Sequence, residues 1–212
     1  MGASPLENAR LGGNPRARPD WPKDAVRVTF GVIWLVDAIL KWLPGFRADY
    51  MGTLMGQAQG QPSWLKPWFT LWIDLQHPRV AFFAYLVAVV ETLIALALIL
   101  GFARKLTYIS AIVFSLLIWS TAEGFGGPYT RGASDIGTAV VYALVFASLL
   151  VLNAQTGPSR RSVDYLIERR VPWWYRIAEV GRPARPQPAL ALVGSPDGST
   201  AEATRPTGKL AN

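Results

Sequence analysis

A strongly apolar stretch runs from Ala81 to Gly101 and contains one charged residue, Glu91, near its centre. A transmembrane helix needs roughly 20 apolar residues to cross the hydrocarbon core of a bilayer. A carboxylate at the centre of a bilayer costs about 2.5–3.5 kcal/mol, so it normally faces a bundle interior or a cavity and has a partner there. The stretch therefore predicts a membrane-spanning helix that turns Glu91 inward.

The composition of the chain also favours a membrane protein, because 51% of its residues are hydrophobic and the charges collect at the ends and in the connections. The net charge of +7 does not indicate nucleic-acid binding, since the basic residues flank apolar spans. The absence of cysteine excludes disulfides and iron–sulfur clusters within the chain, and one histidine leaves little to hold haem or copper. We expect no metal or haem here, so electron transfer would use a diffusible organic carrier or another subunit.

Four apolar segments are long enough to cross a bilayer as tilted helices. They are Asp24–Leu43, Arg79–Gly101, Leu106–Ala122 and Asp135–Leu152. The sequence thus predicts an all-α, integral membrane four-helix bundle over residues 24–153. Residues 1–23 are polar, contain several prolines and lack a cleavable signal, which predicts a disordered N-terminal tail.

The distribution of lysine and arginine predicts a multi-pass protein of the cell membrane with both termini in the cytoplasm. Most basic residues lie in the N-terminal tail, the turn between the second and third spans, and the C-terminal tail. The other two connections carry only Arg47, Lys66, Arg79 and Arg131. Those two connections are therefore expected on the outer side.

The long connection from Pro44 to Pro78 carries an aromatic pattern of helical period. One apolar stripe is formed by Trp64, Trp68 and Trp72, with Leu65, Phe69 and Ile73 beside them. Such a stripe is suited to a helix that lies in the outer membrane interface. It is equally compatible with a lid that packs on the bundle.

The segment after the fourth span, residues 154–180, predicts an amphipathic cytoplasmic element. Ser162–Arg170 has the pattern of a short helix, which Pro172 interrupts. Trp173, Trp174 and Tyr175 follow among arginines, an arrangement that favours the headgroup layer of the membrane. Residues 181–212 are rich in proline, glycine, serine and threonine and predict a disordered C-terminal tail.

Polar side chains recur on one face of the first span. Asp37 and Lys41 are four residues apart, so they are predicted to form an ion pair; in the alternative, Lys41 extends to the outer headgroups. On the second span, small residues at Ala84, Ala88 and Ala95 share the face of Glu91 and would let a neighbouring helix approach closely. Glu91 is then either a hydrogen-bonded clasp between helices or a group that handles protons or ligand.

The third and fourth spans add polar residues near the outer side. Trp119 and Glu123 share one face of the third span, and Asp135, Thr138 and Tyr142 share one face of the fourth. The glycine-rich connection between the two spans ends at Ser134 and Asp135, either of which could cap the fourth helix; the plain alternative is an ordinary glycine-rich turn. If these faces converge, an outward-opening polar cavity contains Asp37, Lys41, Glu123, Arg131 and Asp135, with Glu91 below them. We expect His77 to be a surface residue near the opening of this cavity.

Residues 26–153 resemble the DoxX-like family, in particular the DoxD-type small subunit of thiosulfate:quinone oxidoreductase. The first span is similar through Arg27, Gly31 and Lys41, and the second through Glu91 and Leu100-Gly101 followed by Arg104. The most specific likeness covers Gly127-Pro128-Tyr129-Thr130, Ser134-Asp135-Ile136-Gly137 and Tyr142. The resemblance implies a four-helix membrane protein linked to quinone-dependent redox chemistry, with lipid, a quinone and a second oxidoreductase subunit or larger membrane complex as partners.

The leading functional hypothesis is a membrane subunit of a quinone-linked oxidoreductase that oxidises thiosulfate or another small reductant at the outer face. Glu91, Asp37 and Lys41 are the candidate catalytic residues; the two carboxylates handle the protons that quinone reduction requires, and Lys41 attracts an anion. The candidate substrate-binding residues are Arg131, Asp135, Tyr129, Trp119, Tyr142 and Glu123. Of these, Trp119 and Tyr142 are expected to flank the quinone ring.

Two alternatives remain open at this level. A non-enzymatic membrane scaffold would dock a redox enzyme or a larger complex through its C-terminal tail. A carrier for protons or a solute would also place carboxylates inside a membrane bundle, although four helices are few for a carrier unless it oligomerises.

Overall fold

The computed structural model describes residues 21–127, 136–156, 159 and 161–181. Within these residues all regular secondary structure is helical. The disorder predicted for most of the N-terminal tail and for the C-terminal tail concerns residues outside those described. The same is true of three candidate binding residues, Tyr129, Arg131 and Asp135.

The described elements occur in the following order along the chain. The α-helices are α1 (Trp21–Lys41), α2 (Pro44–Gln59), α3 (Lys66–Gln76), α4 (Val80–Leu100), α5 (Arg104–Ser120), α6 (Thr138–Thr156), α7 (Val163–Glu168) and α8 (Tyr175–Ala178). Short 3-10 turns occur at His77–Arg79, Gly124–Gly126 and Pro172–Trp174. The helix observed at the first predicted span therefore begins three residues before the predicted start, at Trp21, and the helix at the fourth span begins three residues after the predicted start, at Thr138.

Helix α1 packs along α4, and small residues make the close approach possible. A Cβ atom added at Gly31 would lie 2.9 Å from Ile99 Cγ1 and 3.0 Å from Leu98 Cβ. On the facing side of α4, Ala84 and Ala88 are 1% exposed. The small-residue face predicted for the second span is thus confirmed as an inward face, and Glu91 shares it.

Helix α5 packs along α6, and the two helix pairs meet in an aromatic core. Trp34 lies 4.9 Å from Phe146 and 5.2 Å from Tyr142, measured between ring centroids. Phe30 completes the cluster at 5.1 Å from Phe146. Since edge-to-face aromatic pairs add about 0.5–1.5 kcal/mol beyond area burial, this cluster fixes α1 against α6.

The outward faces of the four long helices carry a belt of exposed large apolar side chains. It includes Val32, Ile33, Val36, Ile39 and Leu40 on α1, Phe82, Leu86, Val89, Leu93 and Leu96 on α4, Ile109, Val113 and Leu116 on α5, and Val141, Leu144 and Val151 on α6. Soluble monomers rarely expose contiguous apolar patches larger than a few hundred Å².

Two helical stretches within the described residues are long and apolar enough to cross a membrane, namely Lys66–Leu100 and Thr138–Gln155. Helix α5 has 17 residues, and α1 carries charged residues near both of its ends. Insertion of all four long helices as one membrane bundle stays a prediction.

The outer connection contains two helices, α2 and α3, where the sequence predicted one interfacial stripe. Trp64 lies outside both helices and is 77% exposed, so its place on the stripe was wrong. Phe69 is 1% exposed, and Trp68 Nε1 donates a hydrogen bond of 2.9 Å to Ser120 O on α5. These contacts pack α3 as a lid on the long helices.

The short helix predicted after the fourth span is confirmed as α7, although it ends at Glu168. Ser162 caps it by accepting a 3.3 Å hydrogen bond from the Tyr165 backbone amide. Trp173 is 55% exposed, and its position in a headgroup layer stays a prediction. Trp174 differs from the prediction, because its indole is half-buried and packs on Phe102 with ring centroids 5.4 Å apart.

Candidate functional site

A cavity of about 510 Å³ opens between helices α2 and α3 and the adjoining halves of the four long helices. Its volume is within the roughly 300–1,000 Å³ typical of small-molecule sites. Its described lining consists of Trp34, Asp37 and Lys41 from α1; Phe46, Tyr50, Thr53 and Leu54 from α2; Gln76 from α3; Val87 and Glu91 from α4; Ile118 from α5; Thr121, Ala122 and Glu123 after α5; and Thr138, Ala139 and Tyr142 from α6.

Glu91 forms the most buried polar part of this lining. Its residue exposure is 0%, and neither carboxylate oxygen accepts a hydrogen bond from any described group. The nearest cation is Lys41, whose Nζ lies 4.0 Å from Glu91 Oε2. The expectation of an inward-facing Glu91 is confirmed, whereas the hydrogen-bonded clasp between helices is wrong for the described residues.

Lys41 connects the two carboxylates of the inner wall. Its Nζ lies 3.3 Å from Asp37 Oδ1, which confirms the predicted ion pair, and 5.3 Å from the centre of the Phe46 ring. These contacts place the ammonium group at the cavity wall, and the alternative in which Lys41 extends to the headgroups while Asp37 answers it stays open. The three charged groups Asp37, Lys41 and Glu91 therefore form one continuous cluster.

Glu123 lines the cavity and also organises the start of α6. Its Oε1 and Oε2 accept hydrogen bonds of 3.2 and 3.0 Å from the backbone amide of Ala139. A carboxylate at this position satisfies a free amide and complements the helix dipole. Since α6 begins at Thr138, the predicted helix start at Asp135 was too early, and the two residues expected to cap the helix, Ser134 and Asp135, lie outside the described residues.

Trp119 does not line the cavity. Its Nε1 donates a 2.7 Å hydrogen bond to Ile136 O, and its ring packs against Phe125 at 5.2 Å. The structure therefore corrects the expectation that Trp119 and Tyr142 flank one ligand ring. Trp34 stands beside Tyr142 instead, and the hydrophobic period of α1 already placed it on the same face as Asp37 and Lys41.

Helices α2 and α3 contribute cavity residues that the sequence pattern was not expected to supply. Tyr50 donates a 2.5 Å hydrogen bond from its hydroxyl to Gln76 Oε1, which joins α2 to α3. Burial raises the pKa of Tyr50 to about 12, so the hydroxyl stays protonated at neutral pH. The recurrence of Phe46, Tyr50 and Leu54 at every fourth position is the helical signal that could have identified this wall.

The described lining is acidic overall. Asp37, Glu91 and Glu123 supply three carboxyl groups, whereas Lys41 supplies the single ammonium group. In the part of the chain that the structure describes, no three His, Asp or Glu side chains lie close enough to hold a metal ion. His77 is exposed and outside the lining, in agreement with a surface role.

A second buried charge cluster lies at the opposite ends of the helices, centred on Arg104 and Asp164. Asp164 is 0% exposed and accepts hydrogen bonds from the amides of Ala103 at 2.7 Å and Arg104 at 2.9 Å. Arg104 Nε lies 3.0 Å from Asp164 Oδ2, and Arg104 Nη2 bonds to Glu179. Trp174 donates to the same carboxylate at 2.8 Å. This cluster connects the segment that contains Asp164, Trp174 and Glu179, here called the C-terminal segment, to the start of α5.

No sequence signal identified this second cluster, because Asp164 and Glu179 lie 60 and 75 positions from Arg104 along the chain. Burial raises the pKa of Glu179 to about 7, and the guanidinium of Arg104 opposes that shift. The cluster has no cavity comparable to the outer one, and its groups are mutually paired. Its role is the attachment of the C-terminal segment.

No protein-family model, no curated protein and no solved structure matches the chain.

Proposed function

We propose that this protein is a multi-pass membrane subunit of a quinone-linked oxidoreductase that works with thiosulfate or another small reductant. The observation that carries the proposal is Glu91, a fully buried carboxyl group without a hydrogen bond, in the wall of a 510 Å³ cavity. Buried ionisable groups in apolar surroundings are costly, and they mark proton or substrate paths in membrane proteins. The resemblance to the DoxX-like family supports the same function.

Three features support the membrane location. The belt of exposed Leu, Ile, Val and Phe side chains surrounds α1, α4, α5 and α6, as lipid contact requires. The inward faces of these helices are small or aromatic, which is how helices associate in lipid. Basic residues at Arg104, Lys105, Arg169 and Arg170 lie together at one end, so that end and both termini face the cytoplasm.

The cavity fits the ring of a quinone by size and by lining. Trp34, Phe46 and Tyr142 provide aromatic walls, and Glu91 and Lys41 provide polar groups at one side. A quinone that binds there supplies the capacity to accept two electrons together with two protons. Glu91 and Asp37 hold and release the protons, and Lys41 keeps the two carboxylates in position.

The test follows the absorbance of a short-chain quinone mixed with the purified protein and thiosulfate in lipid nanodiscs. The wild type is expected to reduce the quinone, and Glu91→Gln is expected to slow reduction by about 100-fold, the low end of what general acid–base catalysis contributes. Asp74→Asn is the matched control, because Asp74 is an exposed acid outside the cavity. An absence of turnover with every small reductant would remove the enzymatic assignment.

The second candidate is a membrane scaffold that docks a redox enzyme. It is favoured by the exposed face of the C-terminal segment, where Leu166 is 60% and Trp173 is 55% exposed beside Arg169 and Arg170. The double variant Leu166→Glu, Trp173→Ser changes this face and leaves Asp164 in place. A scaffold should lose its complex on native electrophoresis, whereas a self-contained enzyme should keep both its size and its turnover.

A further inference from the structure

Opposite charges lie side by side in the cavity without being hydrogen-bonded to each other. Lys41 Nζ is 4.0 Å from Glu91 Oε2, beyond the 2.7–3.2 Å of a direct hydrogen bond. By distance alone, one oxygen could lie about 2.8 Å from both atoms, because that distance is more than half of their separation. Both oxygens of Glu91 are buried, so a ligand oxygen reaches them only when the carboxylate turns toward the cavity. Such an oxygen would donate its hydrogen to Glu91 and accept one from Lys41.

The charge of the described lining disfavours an anion at this position. Asp37, Glu91 and Glu123 outnumber Lys41, so the charges of the described lining residues favour a negative balance. The ammonium of Lys41 is already paired with Asp37 at 3.3 Å. An oxyanion placed beside Glu91 would therefore meet like charges in a partly dehydrated site, where repulsion is stronger than in water.

A cationic ligand is disfavoured by the same geometry. The ammonium of Lys41 occupies the side of Glu91 that faces Asp37, so a second cation beside Glu91 would lie next to it. A hydroxyl group is uncharged and both donates and accepts, which suits the two opposed partners. The neighbouring Trp34, Phe46 and Tyr142 favour an aromatic ring as its carrier.

We propose that the cavity binds an uncharged aromatic molecule through a hydroxyl group that donates to Glu91 and accepts from Lys41, and that it rejects oxyanions such as thiosulfate. The inference deepens the proposed function and rests on it, since the quinol that forms when a quinone is reduced carries such a ring hydroxyl, whereas the quinone carries only acceptor oxygens. A small oxyanion reductant then reacts at a place other than the side of Glu91.

The experiment compares 4-propylphenol with 4-propylanisole, its methyl ether, which lacks the donor hydrogen. Binding to the full chain in lipid nanodiscs is measured by calorimetry. The wild type should prefer the phenol by about tenfold, the value of one charge-assisted hydrogen bond. Glu91→Leu removes the acceptor and should reduce the preference to about onefold. Lys41→Met should lower the affinity for both probes by the same factor, because both probe oxygens accept a hydrogen bond from Lys41.

Each variant supplies its own ratio of the two affinities, so unequal amounts of folded protein do not affect the comparison. Asp74→Asn is the control that should keep the wild-type preference, and excess sodium thiosulfate should not displace the phenol. Equal binding of phenol and ether by the wild type, or displacement by thiosulfate, would overturn the inference.

The quinone assay separates this inference from the proposed function. Preferential phenol binding without any quinone turnover would support the assigned ligand class and contradict the proposed oxidoreductase function. Turnover with thiosulfate accompanied by equal binding of phenol and ether would support the oxidoreductase and remove the ligand class.

Discussion

Individual buried charges distinguish the two ends of the molecule. At the outer end, Glu91 has no hydrogen bond from the described residues and one cation at 4.0 Å. At the other end, Asp164 accepts hydrogen bonds from two backbone amides, a guanidinium and an indole. A fully satisfied carboxylate stabilises a fold, whereas an unsatisfied buried polar group costs about 1–3 kcal/mol. Glu91 is therefore the residue that folding alone does not explain.

Replacing Glu91 by leucine should raise the unfolding temperature and abolish quinone turnover. Leucine removes the unsatisfied carboxyl group, and Lys41 keeps its 3.3 Å ion pair with Asp37. A gain of about 1 kcal/mol corresponds to about 2–4 °C for a chain of this size. Circular dichroism in detergent and the quinone assay measure the two effects. A less stable variant with unchanged turnover would make Glu91 a structural residue.

Glu179 makes attachment of the C-terminal segment dependent on pH. Burial raises the pKa of Glu179 from 4.5 to about 7. The positive charges of Arg104 and Lys23 act to lower this pKa, whereas the carboxylates of Glu168 and Asp164 act to raise it. Because the raised pKa belongs to the folded state, the stabilisation is complete below pH 4.5 and is lost as the pH rises through about 7. The segment should therefore be attached more firmly at pH 5.5 than at pH 8.

Trypsin cleavage at Arg170 and Arg176, which are exposed, measures this attachment. Glu179→Gln keeps the size of the side chain and removes its titration, so the ratio of wild-type to variant cleavage cancels the protease's own pH profile. That ratio should rise from pH 5.5 to pH 8. A constant ratio would contradict the role given to Glu179.

Two of the contacts between helices are made possible by single residues: the crossing of α1 with α4, and the attachment of α7 to α5. The first needs a residue without a side chain at Gly31, since Leu98 and Ile99 leave no room for a Cβ atom. The second needs a carboxylate from far along the chain, since no nearby side chain caps α5. Ala103, the residue before α5, has a left-handed φ of 46°, and the hydrogen bond that its amide donates to Asp164 stabilises this conformation.

Gly31→Ala is expected to destabilise the crossing of α1 with α4. The added Cβ atom would lie 3.1 Å from the backbone nitrogen of Ile99, which cannot move aside like a flexible side chain. The cost should be about 1–3 kcal/mol, as for other overpacked contacts. Gly56→Ala on α2 is the control, because its Cβ atom meets nothing within 4 Å and should stabilise the helix slightly. Thermal unfolding of both variants tests the difference.

Asp164→Ala should detach the C-terminal segment. It leaves the buried guanidinium of Arg104 with fewer partners and frees the amides at the start of α5. Removing one partner of a buried ion pair costs about 3–5 kcal/mol. Hydrogen exchange of residues 163–178 should become faster, while Arg169→Ala, an exposed change in the same segment, should leave exchange unaltered. Equal protection in both variants would contradict this attachment.

The whole molecule has an apolar belt with a polar cavity at one end and a charged, attached segment at the other. This division is expected of a protein that crosses a membrane with the cavity outside and the segment in the cytoplasm. Since the chain contains no cysteine, an introduced cysteine is a unique label.

The topology predicts which single cysteines an impermeant maleimide can reach in intact cells. Ser63→Cys, exposed in the outer connection, should react directly, and Arg169→Cys should react only after permeabilisation. Leu93→Cys, on the lipid-facing side of α4 and 61% exposed, should react in neither case, because a thiol in hydrocarbon is not reached by a water-soluble reagent. Reaction of Arg169→Cys in intact cells would reverse the orientation.

The sequence alone determined the helical class, the inward face of α4 and the pair of Asp37 with Lys41. These features depend on spacing within one helix, where the period of 3.6 residues decides which side chains are neighbours. Only the tertiary structure decided that Trp34 replaces Trp119 beside Tyr142, that Glu123 caps α6 and that Asp164 caps α5. Those contacts join separate elements, and their geometry depends on how helices pack, which no local pattern encodes.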